Sequence, residues 1–155
     1  MLADEDRKLD SLLEARTIAV IGLSKDPAKY SHRVAAYLKG HGYKIIPINP
    51  FADEVLGEKS FPSLFDVPAG IQGEIELVDI FRPSEETPPF VDQAIELKRR
   101  HGRLKAIWMQ QGIVNEPAAA RARAADLEVV MNKCIMAEHR RLRGHTKESR
   151  ALLEP

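Results

Sequence analysis

The residues best suited to chemistry follow the first apolar run of the chain. Residues 17–21 read TIAVI, a run rich in β-branched residues that is typical of a strand buried in a parallel sheet. Gly22 ends the run, and between 31 and 41 apolar residues recur at helical spacing. A turn between a strand and a helix N-terminus presents free N–H groups and the positive end of the helix dipole. This stretch predicts a phosphate-binding turn.

Basic side chains surround the predicted turn. Four of them lie near the start of the following helix: Lys25, Lys29, His32 and Arg33. Arg82 follows a later strand, and its guanidinium group is able to hold a phosphate with two parallel hydrogen bonds. The alternative role for Arg82 is an ion pair with Glu85 or Glu86, and for the other cations a solvated surface.

The single cysteine, Cys134, follows the last predicted strand. Its simplest interpretation is a small buried apolar residue. A thiol at the N-terminus of a helix is also placed to exchange with the thiol of a bound ligand. Glu138 and His139 offer an acid–base pair, although such residues on a late helix more often pack or face solvent. The sequence contains no Ser-His-Asp order, acidic dyad or metal-ligand spacing, so no metal site is predicted.

Strands and helices that alternate along the chain must position these residues. Apolar runs predict strands over 17–21, 44–48, 75–81, 105–109 and 128–131. Helical spacing and capping residues predict helices over 3–14, 31–41, 90–101, 115–125 and 134–142. Pro47 cannot donate a ladder hydrogen bond, so its strand is expected away from the centre of the sheet. Pro88 and Pro89 are expected in a turn before the helix over 90–101.

This alternation predicts an α/β fold, a doubly wound sheet of five parallel strands with helices on both faces. Ligands bind such sheets beyond the carboxyl ends of the strands, at the switch point. One domain is expected over 1–155, with its core over about 17–142, an N-terminal helix in 1–14 and a frayed tail over 144–155. The residues that directly follow each strand are therefore the candidate site.

Composition excludes several classes of protein. Apolar residues make up 44% of the chain and charged residues 30%, as in a globular protein. Lys and Arg total 23, as do Asp and Glu, which argues against a broad nucleic-acid surface. No apolar run approaches membrane-spanning length, and the acidic start is unlike a signal peptide. We expect a cytoplasmic protein without nucleic-acid or membrane partners, and protein partners are left open.

Two common nucleotide sites do not match the turn. A dinucleotide site has three glycines in G-x-G-x-x-G and an acidic residue after the second strand. Residues 22–27 contain one glycine, and Asn49 follows the second strand. The two glycines and the Lys-Ser/Thr pair of a P-loop are absent. NAD and P-loop nucleotides are therefore disfavoured.

Six ordered motifs resemble the small stand-alone CoA-binding proteins, which are similar to the N-terminal domain of the succinyl-CoA synthetase α subunit. Between residues 18 and 139 the motifs are GLSKDPAKYSHRVAAYL, IIPINP, LGEKSFPSL, DIFRPSEE, WMQQGIVNE and MNKCIMAEH. The resemblance implies a Rossmann-like domain that binds coenzyme A. An insertion-like segment over 70–74 departs from the family pattern and affects only the outer loop.

The resemblance also implies roles for individual residues. Phosphate contacts are implied at Gly22, Leu23, Ser24 and Lys25. Ser31 and Arg33, on the following helix, are added to the predicted binding residues, Arg33 for its positive charge. Asn49 and Pro50 would flank the nucleotide, and Phe81, Arg82 and Pro83 would form a wall for adenine. Gln110, Gln111 and Gly112 would close the pocket near the pantetheine arm. An asparagine at position 49 suits a ribose that carries a phosphate, because a carboxylate there would repel it.

The expected function is therefore binding of CoA or an acyl-CoA. No catalysis is expected from the isolated domain, because the ligase it resembles needs further domains for which 155 residues leave no room. Two alternatives stay open. In the first alternative, the chain is a small thiol, thioester or CoA-disulfide enzyme that uses Cys134. In the second, it is a sensor of another adenine nucleotide such as NAD.

Overall fold

The computed structural model describes residues 2–144 of the chain. The helices in this part are α1 (Asp4–Leu12), α2 (Tyr30–Gly40), α3 (Ala69–Gln72), α4 (Thr87–His101), α5 (Glu116–Ala124) and α6 (Ile135–Arg143). The strands are β1 (Thr17–Ile21), β2 (Lys44–Ile48), β3 (Glu54–Val55), β4 (Glu58–Lys59), β5 (Leu77–Ile80), β6 (Ala106–Met109) and β7 (Glu128–Val130). The tail predicted over 144–155 lies outside the described residues from 145 onward.

Five strands form a parallel sheet in the order β2-β1-β5-β6-β7. β1 pairs with two strands, and its residue Ile21 lies opposite Ile48 of β2 and Ile80 of β5. Pro47 lies in the edge strand β2, where its missing N–H interrupts no ladder to a second strand of this sheet. The position expected from Pro47 is confirmed.

Side chains alternate between two buried faces of the sheet. On one face, Ile18 and Trp108 belong to a cluster that includes residues of α1, α2 and α6. On the other, Ile21 and Ile107 belong to a cluster that includes residues of α4 and α5. The predicted doubly wound, Rossmann-like α/β fold with helices on both faces is confirmed.

Two local features differ from the sequence expectation. Pro88 and Pro89 lie in the first turn of α4 and not before the helix. First-turn N–H groups have no partner within a helix, so proline is tolerated there. Residues 54–59 form the hairpin β3–β4, which their weak periodicity did not indicate. Leu56 and Gly57 take the positive φ values that a two-residue hairpin turn requires.

Helix α1 packs against α6 through charged pairs. Arg141 donates two hydrogen bonds to Asp6, at 2.9 and 2.7 Å, and Arg143 Nε donates to Asp10 at 2.6 Å. These contacts fix both helices on the same face of the sheet. None of the helices described between residues 2 and 144 is both long and apolar enough to cross a lipid bilayer.

Candidate functional site

The switch point of the sheet lies between the carboxyl ends of β1 and β5. After β1 the chain adds β2 on one side, and the later strands add on the other. Doubly wound sheets bind ligands in the crevice that this reversal opens. A cleft of about 690 Å³ lies here, a volume typical of small-molecule sites. The cleft is lined by Ile21, Gly22, Ser24, Lys25, Ile48, Asn49, Pro50, Phe51, Pro62, Arg82, Glu85, Glu86, Pro89 and Phe90.

Gly22 allows the ends of β1 and β5 to approach closely. Its φ of +81° lies in the left-handed region that favours glycine. A Cβ on this residue would lie 2.9 Å from the Phe81 carbonyl oxygen and 2.9 Å from Arg82 Cδ. The backbone after β1 therefore lines the cleft at a point with no room for a side chain.

Two backbone N–H groups of the turn already donate hydrogen bonds to serine side chains. The Ser24 N–H donates to Ser31 Oγ at 3.0 Å, and the Asp26 N–H donates to Ser24 Oγ at 3.0 Å. These bonds shape the loop that leads to α2. Over residues 2–144, the N–H groups of Leu23 and Lys25 donate to no protein acceptor. Of these two residues only Lys25 lines the cleft, so its amide is the backbone donor that the turn offers to an anion.

Asn49 connects the end of β2 to the turn after β1. Its Nδ2 donates to the Leu23 carbonyl oxygen at 2.9 Å, and its Oδ1 accepts from the Phe51 N–H at 2.8 Å. An aspartate at this position could not donate to Leu23. The asparagine therefore holds the turn in place, in addition to keeping negative charge out of the cleft.

The charges at the cleft balance one another. Lys25 and Arg82 are positive, whereas Glu85 and Glu86 are negative. Arg82 Nη2 lies 2.8 Å from Glu86 Oε2, in an exposed ion pair between residues four apart in the sequence. The ion pair considered as the alternative role of Arg82 is present. A phosphate in the cleft would compete with Glu86 for the guanidinium group.

The aromatic side chains of the cleft are Phe51 and Phe90, neither of which was predicted as a site residue. Phe51 is 86% exposed. Its position directly after an Asn-Pro pair at the end of a strand was the sequence signal that could have identified it as a site residue. Phe81, the predicted adenine wall, makes an edge contact with Tyr30 at 5.9 Å between ring centroids. Its ring packs against the cluster on the α2 face and does not line the cleft.

Other predicted site residues lie near this edge of the sheet but do not line the cleft. Leu23 is fully buried. Gln110 is 1% exposed, and its Oε1 accepts a hydrogen bond from the Ile135 N–H at 3.1 Å. The predicted site residues that do not line the cleft are Leu23, Ser31, Arg33, Phe81, Pro83, Gln110, Gln111 and Gly112. Their contact with a ligand stays a prediction.

Cys134 lies in a buried polar cluster at the N-terminus of α6. The Tyr30 hydroxyl donates a hydrogen bond to Cys134 Sγ. Neither carboxyl oxygen of Asp79 has a hydrogen-bond partner in the part of the chain that the structure describes. Burial raises the pKa of Asp79 well above its ordinary value, which favours the neutral form of its carboxyl group. Burial and the neighbouring Cys134 also raise the pKa of Tyr30, which keeps the phenol protonated as a donor.

Glu138 and His139 do not form the acid–base pair that their adjacency offered. His139 Nδ1 shares a hydrogen bond of 2.7 Å with the Tyr37 hydroxyl, and burial lowers the pKa of His139. Glu138 instead accepts a hydrogen bond of 2.6 Å from Arg141. Adjacent residues on a helix point in different directions, so they serve different neighbours.

A doubly wound sheet with a cleft at its switch point defines a Rossmann-like α/β domain, a class that binds ligands at this place in the sheet. Residues 16–140 match the family model described as CoA binding domain, and the chain belongs to this family. The resemblance to CoA-binding proteins is confirmed.

Relatives cover the chain to different extents. The uncharacterized protein YneT of Bacillus subtilis is 38% identical over 128 residues, which is 83% of this chain and 88% of YneT. The α subunit of ADP-forming acetate–CoA ligase II from Pyrococcus furiosus is 38% identical over 88 residues, 56% of this chain but 18% of the subunit. The structure of the PH1109 protein redesigned for binding has a TM-score of 0.82 at 36% identity, covering 96% of this chain and 97% of that one.

Proposed function

We propose that this chain binds coenzyme A or an acyl-CoA in the cleft at the switch point. The family match over residues 16–140 carries the proposal. The geometry supports it, because the Lys25 amide donates to no protein acceptor in residues 2–144 and the side chains of Lys25 and Arg82 line the cleft, an arrangement suited to phosphates. The exposed ring of Phe51 offers a surface on which adenine is able to stack.

The proposed role is binding without catalysis by this domain. The match to the ligase α subunit spans 18% of that subunit, so its reaction is not transferred to this chain. The described lining of the cleft contains neither histidine nor cysteine. A cytoplasmic location is part of the proposal and rests on the single cysteine, which suits a reducing compartment.

Calorimetric titration with CoA, dephospho-CoA, ATP and NAD tests the proposal. We expect CoA to bind most tightly, and dephospho-CoA more weakly because it lacks the 3′-phosphate. Lys25→Ala should weaken CoA binding by about fivefold, as for a partly exposed charged contact. Lys98→Ala, which removes a partly exposed cation from the last turn of α4, is the matched control and should have no effect. Failure to bind CoA, or tighter binding of ATP or NAD, would contradict the proposal.

The ion pair of Arg82 with Glu86 leads to the prediction that a substitution will tighten CoA binding. Glu86→Gln should tighten CoA binding by about two- to fivefold, because it frees the guanidinium and removes a negative charge from the cleft. Arg82→Ala should weaken binding, and Glu86→Gln should have little effect in the Arg82→Ala background. Titrations at low and high salt measure these changes, and the gain should shrink as salt screens the charges. An unchanged or weaker affinity of Glu86→Gln would refute competition for Arg82.

A further inference from the structure

Cys134 is surrounded by polar groups that packing alone does not require. It is the N-cap of α6, it is 8% exposed, and it accepts the Tyr30 hydroxyl hydrogen bond. The buried Gln110 amide lies beside the same hydroxyl, and its Nε2 has no hydrogen-bond partner among residues 2–144. Asp79 is a second buried group without partners. Both groups act on Tyr30, whose hydroxyl is bonded to the thiol. Unpaired buried polar groups are costly, so their presence beside the Tyr30–Cys134 pair points to a functional site.

Two features of the fold place partial positive charge beside the Cys134 sulfur. The Tyr30 hydroxyl and the N-terminal end of α6 both direct partial positive charge at Sγ. The Trp108 Nε1–H donates to the Lys133 carbonyl oxygen at 2.8 Å and fixes the backbone directly before Cys134.

A chain of contacts connects this thiol to the nucleotide cleft. Gly22 lines the cleft and lies against the backbone of Phe81. The Phe81 ring contacts the Tyr30 ring, and the Tyr30 hydroxyl reaches Cys134 Sγ. The cleft and the thiol therefore lie along one edge of the sheet, with Tyr30 between them. Tyr30 is the first residue of α2 and is 37% exposed, so the ring that covers the thiol is itself open to solvent.

We propose that Cys134 undergoes thiol–disulfide exchange with oxidised CoA whose nucleotide occupies the cleft. The long pantetheine arm of that ligand would extend along the sheet edge, past Phe81, and bring the disulfide to Cys134 beside the Tyr30 hydroxyl. This inference rests on the proposed function and names the oxidised form of its ligand as the substrate.

The exchange is balanced without a further oxidant. The Cys134 thiolate attacks one sulfur of the CoA disulfide, a Cys134–CoA disulfide forms, and the S–S bond of the substrate breaks. The other half leaves as CoA thiolate and takes up the proton that the Cys134 thiol released. Tyr30 hydrogen-bonds the attacking thiolate and is a positioning residue.

Intact-protein mass spectrometry tests this exchange on the full chain. Protein is mixed with CoA disulfide or with glutathione disulfide at equal concentration. Because Cys134 is the only cysteine, any adduct is located without ambiguity. We expect one CoA moiety per chain, formed at least about tenfold faster than the glutathione adduct because the cleft holds the nucleotide. Dithiothreitol should reverse it.

Two variants of α2 separate a specific site from a reactive surface thiol. Tyr30→Phe keeps the ring but removes the hydroxyl, and it should slow the CoA adduct by about tenfold. Tyr37→Phe removes a hydroxyl bonded to His139 on the same helix and should not change the rate. Calorimetry should give unchanged affinity for reduced CoA in Tyr37→Phe.

The outcomes distinguish this inference from the proposed function. Binding of reduced CoA without an adduct from CoA disulfide would overturn the exchange and leave the CoA site standing. Equal rates for the two disulfides, or an adduct that Tyr30→Phe does not slow, would also overturn it. Absence of any CoA binding would overturn both.

Discussion

Replacing Asp79 with asparagine is expected to stabilise the protein at neutral pH and to flatten the pH dependence of its unfolding. Asp79 is fully buried without a hydrogen-bond partner in the described chain, and burial raises its pKa well above the ordinary value. In the unfolded chain the same carboxyl group ionises near a pKa of about 4. Between these two pKa values the folded state holds the extra proton. The free energy of unfolding should therefore fall as pH rises, by about 1.4 kcal/mol per pH unit.

Urea unfolding of the wild type and of Asp79→Asn between pH 4 and pH 8 measures this effect. The stability contributed by the protonated carboxyl is fully present below the unfolded pKa and is lost as pH approaches the folded one. The difference in the free energy of unfolding between Asp79→Asn and the wild type should therefore grow with pH. Each kcal/mol of that difference should raise the Tm of the variant by about 2–4 °C. Asp53→Asn, at an exposed aspartate, is the matched control and should change stability by less than about 0.5 kcal/mol. Parallel curves for the wild type and Asp79→Asn would show that Asp79 is ionised in the fold.

Gly22→Ala is expected to destabilise the protein by about 3 kcal/mol or more and to abolish CoA binding. The left-handed φ of +81° penalises any side chain. The new Cβ would also lie 2.9 Å from the Phe81 carbonyl oxygen, a backbone atom that cannot turn away. Relief of this contact would separate the ends of β1 and β5, where the cleft lies.

Gly42→Ala separates the two causes. Gly42 has a φ of +94°, but a Cβ there meets no heavy atom within 4 Å. This variant should lose only the conformational contribution, about 1–2 kcal/mol, and keep CoA binding. Urea unfolding and calorimetry on both variants provide the measurements. If the two variants lost equal stability, the close approach of β5 would not be the reason for glycine at position 22.

The strands and the predicted phosphate turn were readable from the sequence because each depends on neighbouring residues. A continuous apolar run over 17–21 indicates a strand buried on both faces, and Gly22 marks where it must turn. Pro47 indicates an edge strand because it lacks an N–H, whatever the rest of the fold. Pro88 and Pro89 were misplaced because the first turn of a helix tolerates what its interior does not.

Contacts between distant segments were not readable in this way. Tyr30 and Cys134 are 104 residues apart, and only the packing of α2 and α6 on one face of the sheet brings the hydroxyl to the thiol. The direction of the Phe81 ring depends in the same way on the face to which the end of β5 turns it. The exposure of Phe51 and the choice of Glu86 by Arg82 depend on the shape of the cleft.

By itself, the sequence determined the alternation of strands and helices, the family and the turn after β1, because hydrophobic period, proline and glycine act over a few residues. Only the tertiary structure decided which side chains line the cleft, which charges cancel there, and that Asp79, Tyr30 and Cys134 lie together. Those outcomes depend on strand order and on the face to which each side chain points, and both are set by long-range packing.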